Sequence, residues 1–230
     1  MIKIENLRKE YNGKEVLNIE DLTINQGEIV GLVGNNGAGK TTLFSLVLDL
    51  IKASSGRILS KEKDVSQTED WKMYTSAYLD DGFLINFLTA DEYFEFVGGL
   101  FDYSKTDIQT FVQQFEPIFN GEVLGQKKFI RQLSMGNRKK VGLIGALIGN
   151  PEIVLWDEPF SNLDPSTQIR VRNIIKEHSD NRTFFVSSHD LHHIAEVCTR
   201  IIILDHGKVV RDVKNSPEMK EELFEFFEVT

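Results

Sequence analysis

The stretch GLVGNNGAGKTT at positions 31–42 constrains this chain more than any other. Glycine loses more backbone freedom on folding than any other residue, so it is costly in regular structure. Yet Gly34, Gly37 and Gly39 stand close together here, and Lys40, Thr41 and Thr42 follow at once. The pattern Gly34-x-x-x-x-Gly39-Lys40-Thr41 fits a phosphate-binding loop, a P-loop. Backbone N–H groups in such a loop point inward and form a nest for anions. Lys40 can reach the outer phosphates as a point charge, and the Thr41 hydroxyl can ligate Mg²⁺. The flanks agree: GEIVGLVG reads as a short buried strand and KTTLFSLVLDLI as a helix whose positive end would meet the phosphates.

The 230 residues suffice for one sizeable core, or for one core with a small lobe. With 41% hydrophobic and 27% charged residues, the composition is that of a soluble globular protein. A net charge of -9 argues against a generally nucleic-acid-binding surface, and no nucleic-acid partner is expected. The single cysteine, Cys198, excludes an intrachain disulfide and reads as a small buried apolar residue in a helix. The opening MIKIENLRKEY alternates like a strand and does not resemble a signal peptide. The longest apolar run, VGLIGALIG at 141–149, is far shorter than a membrane span. The expectation is an intracellular protein that does not itself cross a membrane.

Strands dominate the first part of the chain, with RILS and MYTSAYL as candidates after the P-loop helix. From Thr89 the pattern turns helical. TADEYFEFVGGLFD has Thr89 as N-cap and acids in its first turn. SKTDIQTFVQQFEPIF has Ser104 as cap and a stripe of Ile108, Phe111, Val112 and Phe115. From Pro151, EIVLWD, PSTQIRVRNIIKEHS, TFFVSSHD, LHHIAEVC and RIIILDHGKVV alternate strand and helix, which implies parallel βαβ units. SPEMKEELFEFFEVT reads as a short amphipathic helix. The simplest architecture is an α/β core, residues 1–83 and 135–230, split by a helical insertion over about 84–134.

Two further motifs carry chemistry. IVLWDEP is a buried strand ending in two acids: Asp157 can help to hold Mg²⁺, and Glu158 can polarise a water for attack on a γ-phosphate. LSMGN precedes the helical pattern RKKVGLIGALIGNP, so Ser134 and Gly136 at a helix start offer a second anion site.

With these motifs in this order, the chain resembles the nucleotide-binding domain of ATP-binding cassette (ABC) transporters over nearly its whole length. GNNGAGKTT matches Walker A, and LSMGN is similar to the family signature LSGGQ, keeping Leu133, Ser134 and Gly136. IVLWDE matches Walker B, SNLD at 161–164 the D-loop, and SSHD the switch histidine, His189. The resemblance implies a P-loop NTPase core of the α/β class, with a mainly parallel sheet, an N-terminal antiparallel β subdomain and the helical insertion. It implies ATP held by Asn35, Asn36, Gly37, Ala38, Gly39, Lys40, Thr41 and Thr42, with Tyr11 stacked on adenine. It implies Mg²⁺ held by Thr41 and Asp157, Glu158 as general base, and His189 holding the γ-phosphate and water in line. Two such cassettes, identical or paralogous, would sandwich two ATP molecules, Walker A of one copy facing Ser134 and Gly136 of the other. A separate transmembrane permease subunit would place the protein at the inner face of the cell membrane.

One departure stands out. Where the family has glutamine after the strand, this chain has YLDD, so Asp81 takes the glutamine position with Asp80 beside it. An aspartate can still ligate Mg²⁺ or orient water, and Asp81 is expected in the catalytic and metal set. Phe83, Leu84 and Phe87, in the loop before Thr89, are expected to form the permease docking groove. YLDD and the one-domain build lean towards an exporter-type system. Soluble relatives acting in translation or DNA repair should carry two cassettes or a long coiled-coil insertion, and basic surfaces. A GTPase should carry N-K-x-D, which is absent. An accessory ATPase remodelling a membrane, ribosomal or DNA complex is the remaining alternative.

Overall fold

The structure, a computed structural model, describes residues 1–180 and 182–216. The amphipathic helix read from SPEMKEELFEFFEVT lies, beyond Ser216, outside the described residues. Two sheets enclose the helix that follows the P-loop. Strands β1 (Ile2–Tyr11), β2 (Lys14–Ile24), β4 (Ser55–Ser60) and β5 (Lys63–Asp64) form an antiparallel sheet in the order β2-β1-β4-β5. Strands β3 (Ile29–Val33), β6 (Thr75–Tyr78), β7 (Ile153–Trp156), β8 (Thr183–Ser188), β9 (Arg200–Asp205) and β10 (Lys208–Lys214) form the second sheet, ordered β10-β9-β3-β8-β7-β6. All its pairings are parallel except β9–β10. Every residue of β3 and β7 is buried, as expected of central parallel strands covered on both faces.

Helix α1 (Lys40–Val47) lies between the sheets. Its Leu43, Phe44, Leu46 and Val47 pack with Ile4, Leu7 and Leu17 of the small sheet and with Leu32, Phe185 and Ile202 of the large one. The Phe44 and Phe185 rings meet at 4.8 Å. On the opposite face, α2 (Ala90–Gly99), α3 (Lys105–Gln113) and α4 (Glu116–Phe119) pack against α5 (Met135–Gly145), with Phe94, Ile108, Phe119, Ile144 and Trp156 in one core. Helices α6 (Pro165–Glu177) and α7 (Leu191–Val197) complete the βαβ crossovers. Thr89 and Ser104 each close a reciprocal capping box, with Glu92 and Asp107.

The structure corrects four local expectations. SKTDIQTFVQQFEPIF is two helices rather than one, because Pro117 at the start of α4 supplies no N–H to continue α3. RIIILDHGKVV is a hairpin, turned at His206 and Gly207, which both take positive φ. MYTSAYL contributes only Thr75–Tyr78, since Met73 closes a 3₁₀ turn. Leu84, expected in an exposed groove, is 6% exposed and belongs to the core shared with Phe94 and Ile130.

Candidate nucleotide site

The P-loop, the two acids and His189 all sit at the carboxyl ends of the neighbouring strands β3, β8 and β7, where open α/β sheets bind ligands. The chain leaves β3 at Val33, and Gly34 N–H donates to Ser188 O at 3.3 Å. Gly39 has φ +108°, so an L side chain there would be strained. That conformation turns the chain directly into α1. The first hydrogen bond of this helix runs from Leu43 N–H to Gly39 O at 2.9 Å, which leaves the N–H groups of Lys40, Thr41 and Thr42 in the unpaired first turn. Asn35, Asn36, Gly37 and Ala38 form the rim of the loop, with Ala38 N–H donating to Asn35 O at 3.1 Å.

The side chains converge. Thr41 Oγ1 donates to Asp157 Oδ2 at 2.5 Å, so a hydroxyl from the P-loop helix and the first acid after β7 are adjacent hard oxygen donors. This pair fits Mg²⁺. The other oxygen of Asp157 accepts from the Ser187 hydroxyl, and that same hydroxyl oxygen accepts from Glu158 N–H at 3.0 Å. Asp157 is 4% exposed. Burial pushes its carboxyl above the usual range, and the Ser187 and Thr41 hydroxyls pull it back. Glu158 reaches the cleft from the next position. Its Oε1 lies 3.3 Å from Lys40 Nζ and its Oε2 2.8 Å from His189 Nδ1. Lys40 Nζ also donates to Gly34 O at 2.6 Å, lying curled inside the loop that carries it. Lys40, Glu158 and His189 are thus one connected cluster.

A family model for ABC transporters matches residues 17–161. The chain belongs to the ABC transporter family. It is 37% identical over 82% of its length to an ABC transporter ATP-binding protein of Synechocystis, of which it spans 54%. It is 29% identical to the lantibiotic transport ATP-binding protein SrtF of Streptococcus pyogenes, covering 97% of this chain and 96% of that one. Among solved structures, the ATP-binding cassette MJ0796, dimeric and bound to ADP and Pi in a post-hydrolysis state, superposes with a TM-score of 0.83. Its identity is 27%, over 94% of this chain and 99% of that one.

The remaining expected residues of this ABC cassette lie around the cluster or apart from it. Asp81 shares the cleft that Asp157 and Glu158 line. Its Oδ1 accepts from the Tyr78 hydroxyl at 2.6 Å and its Oδ2 from Arg138 Nε at 2.8 Å. Asp80 caps the next turn through Gly82 N–H. Ser134 and Gly136 stand at the start of α5, away from the P-loop, beside a cleft of ≈ 610 Å³ that Asn162 and Asp164 also line. Ser134 Oγ accepts from Asn137 N–H at 3.2 Å as the N-cap. Tyr11, at the end of β1, is half exposed, with Lys9 Nζ 4.7 Å from its ring centre. His193 stacks on Phe160 at 4.8 Å, which gives it a packing role. Sequence reading missed Ser187, Arg138 and Lys139. Nothing local sets Lys139 apart, since it stands in a run of three basic residues, Arg138, Lys139 and Lys140.

Ser187→Ala removes the one hydroxyl that serves both Asp157 Oδ1 and Glu158 N–H. We expect a loss of about 1–3 kcal/mol in urea unfolding, from buried groups left unpaired. Stability equal to the parent would remove Ser187 from this network.

Proposed function

We propose that the protein is the ATP-binding, ATP-hydrolysing subunit of a membrane transporter, acting as a head-to-tail pair of cassettes on a separate permease. The convergence of Lys40, Thr41, Asp157, Glu158 and His189 at the ends of three adjacent parallel strands carries this reading. In it, the P-loop N–H groups and Lys40 hold the phosphates. Tyr11 lies against the adenine, and Thr41 and Asp157 hold Mg²⁺. The ion, when bound, neutralises charge that develops on the phosphate oxygens. Lys40 must then turn from Glu158 towards the phosphates, which frees a carboxylate oxygen to take a proton from water. His189, already hydrogen-bonded to Glu158, holds that carboxylate in place. Ser134 and Gly136 present a hydroxyl and a helix start to the nucleotide of the second copy. The likeness to a dimeric cassette bound to ADP and Pi supports both the hydrolysis and the pairing.

Glu158→Gln should still bind ATP, with single-turnover hydrolysis lowered about a hundredfold or more. Lys40→Ala should weaken ATP binding itself, read by calorimetry. Glu158→Gln turning over at the parent rate would defeat the assigned base.

Phe83 and Phe87 are 58% and 67% exposed, on the turn between β6 and α2. In our reading they are the apolar contact for the permease, with Leu84 beneath them as support. The protein would then sit at the cytoplasmic face of a membrane through that partner. Among the described residues no helix is long and apolar enough to cross a membrane. Phe83→Ser with Phe87→Ser should release the chain from membranes that hold its permease; retention at the parent level would count against this docking face.

Each oxygen of a carboxylate has a second lone pair, so Asp81 can serve Tyr78 and Arg138 and still face the Mg²⁺ shell. Asp81→Gln should therefore shift the Mg²⁺ concentration that half-activates hydrolysis; an unmoved midpoint would confine Asp81 to its ion pair. Within the transporter reading, YLDD favours export. Its relatives include one named for lantibiotic transport and one named for methionine import.

A further inference from the structure

Glu158 is not a glycine, yet its φ is +49°, in the left-handed region that side chains with a Cβ avoid. Such a backbone persists only where its surroundings hold it. Both of its backbone polar groups, N–H and C=O, are held here, from opposite directions. On one side, Glu158 N–H donates to Ser187 Oγ of β8 at 3.0 Å. On the other, Glu158 O accepts from Lys139 Nζ of α5 at 2.7 Å, and from Ser161 Oγ at 2.9 Å and Ser161 N–H at 3.3 Å. Lys139 Nζ also donates to Ser161 Oγ at 2.5 Å.

The choice of residue at 139 is what needs explaining. Lys139 is 7% exposed, and burying an ammonium is costly unless something compensates it. Its two hydrogen bonds go to a carbonyl and a hydroxyl rather than to a carboxylate. Burial is the larger influence and holds its pKa below the ordinary lysine value, while Asp81, Glu158 and Asp157 pull the other way, towards the charged form. Packing alone would be served by an apolar side chain. A charged donor gives a shorter and stronger hydrogen bond to one particular carbonyl than a neutral donor would.

We propose that Lys139 is a positioning residue for Glu158: its ammonium grips the Glu158 carbonyl, fixes the left-handed backbone there, and so aims the carboxylate between Lys40 and His189. The inference rests on the reading of Glu158 as the base. α5 is fixed in its turn. Gly142, one turn further along, lies so close to the Tyr78 ring that a Cβ there would come within 2.2 Å of it, so the helix packs tightly against the end of β6.

The test is ATP hydrolysis by the full chain, with kcat, KM for ATP and the melting temperature read together. Lys139→Met keeps the length of the side chain and removes the donor. It should lower kcat about tenfold or more, as misplacing a reacting group does, with KM and melting close to the parent. Lys139→Arg, which restores a cation and donors, should recover much of the loss. Should Lys139→Met fail to fold, Lys139→Leu, which also removes the donor, is read in the same way. A kcat equal to the parent would overturn the proposal, and so would a fall in kcat that comes with an equal loss of ATP affinity and of melting temperature, since that marks a packing role. Glu158→Gln in parallel separates the two readings. If it abolishes turnover while Lys139→Met leaves it intact, only the role of Lys139 fails. If it leaves turnover intact, the base assignment itself has failed.

Discussion

The rest of the site depends on one buried carboxylate. Asp157 leaves β7 into an environment that penalises its charge, and two hydroxyls from separate elements compensate it: Thr41 from the helix after β3, and Ser187 from β8. A buried ion without partners would be expensive, so the three elements must stay in register. The ladder gives the same register independently, with Trp156 beside Val186 and Val33 beside Ser188. Side-chain compensation and backbone pairing thus demand one alignment, which is why groups far apart in sequence meet within hydrogen-bonding distance.

The same economy of elements governs the helices. α1 is short, and its own propensity would not sustain it. It is stable because apolar residues on more than one side are buried between the two sheets, and that burial fixes where its N-terminal end points. α5 works along its length. Its start carries Ser134 and Gly136 at one cleft, its second turn sends Arg138 to Asp81 and Lys139 to Glu158, and its later turns fill the core with Val141, Leu143 and Ile144. Two clefts are therefore bound to one rigid body.

Much of this was legible in the chain. The glycine spacing before Lys40, the buried strand ending in Asp157 and Glu158, and the capping residues Thr89 and Ser104 each encode a local geometry that needs no tertiary partner to be recognised. Leu84 and Lys139 show where such reading stops. Leu84 sits in a loop stretch beside two exposed phenylalanines, and nothing in its neighbours says that it alone turns inward to meet Phe94. Lys139 stands in a run of three basic residues, which reads as a solvated face. It is buried only because the cleft brings Glu158 O and Ser161 to the place where its ammonium ends. The break at Pro117 was readable in principle, since proline's missing N–H is a sequence property, but the apolar stripe across it ran on and obscured the boundary.

Charge in the cleft explains why aspartate can stand at position 81. Asp81, Asp157 and Glu158 crowd three carboxylates near the place proposed for a triphosphate, an arrangement that would repel the ligand if it were uncompensated. Arg138 pairs with Asp81 at 2.8 Å, and Lys40 lies 3.3 Å from Glu158. Asp157 has its hydroxyls. The extra negative charge at Asp81 is thus answered by a cation from α5, and the pair is partly buried, where screening by salt is weaker than at the surface. A glutamine here would need no such partner. Asp81 and Arg138 are best understood as one unit, in which the carboxylate ties the end of β6 to the helix that also grips Glu158.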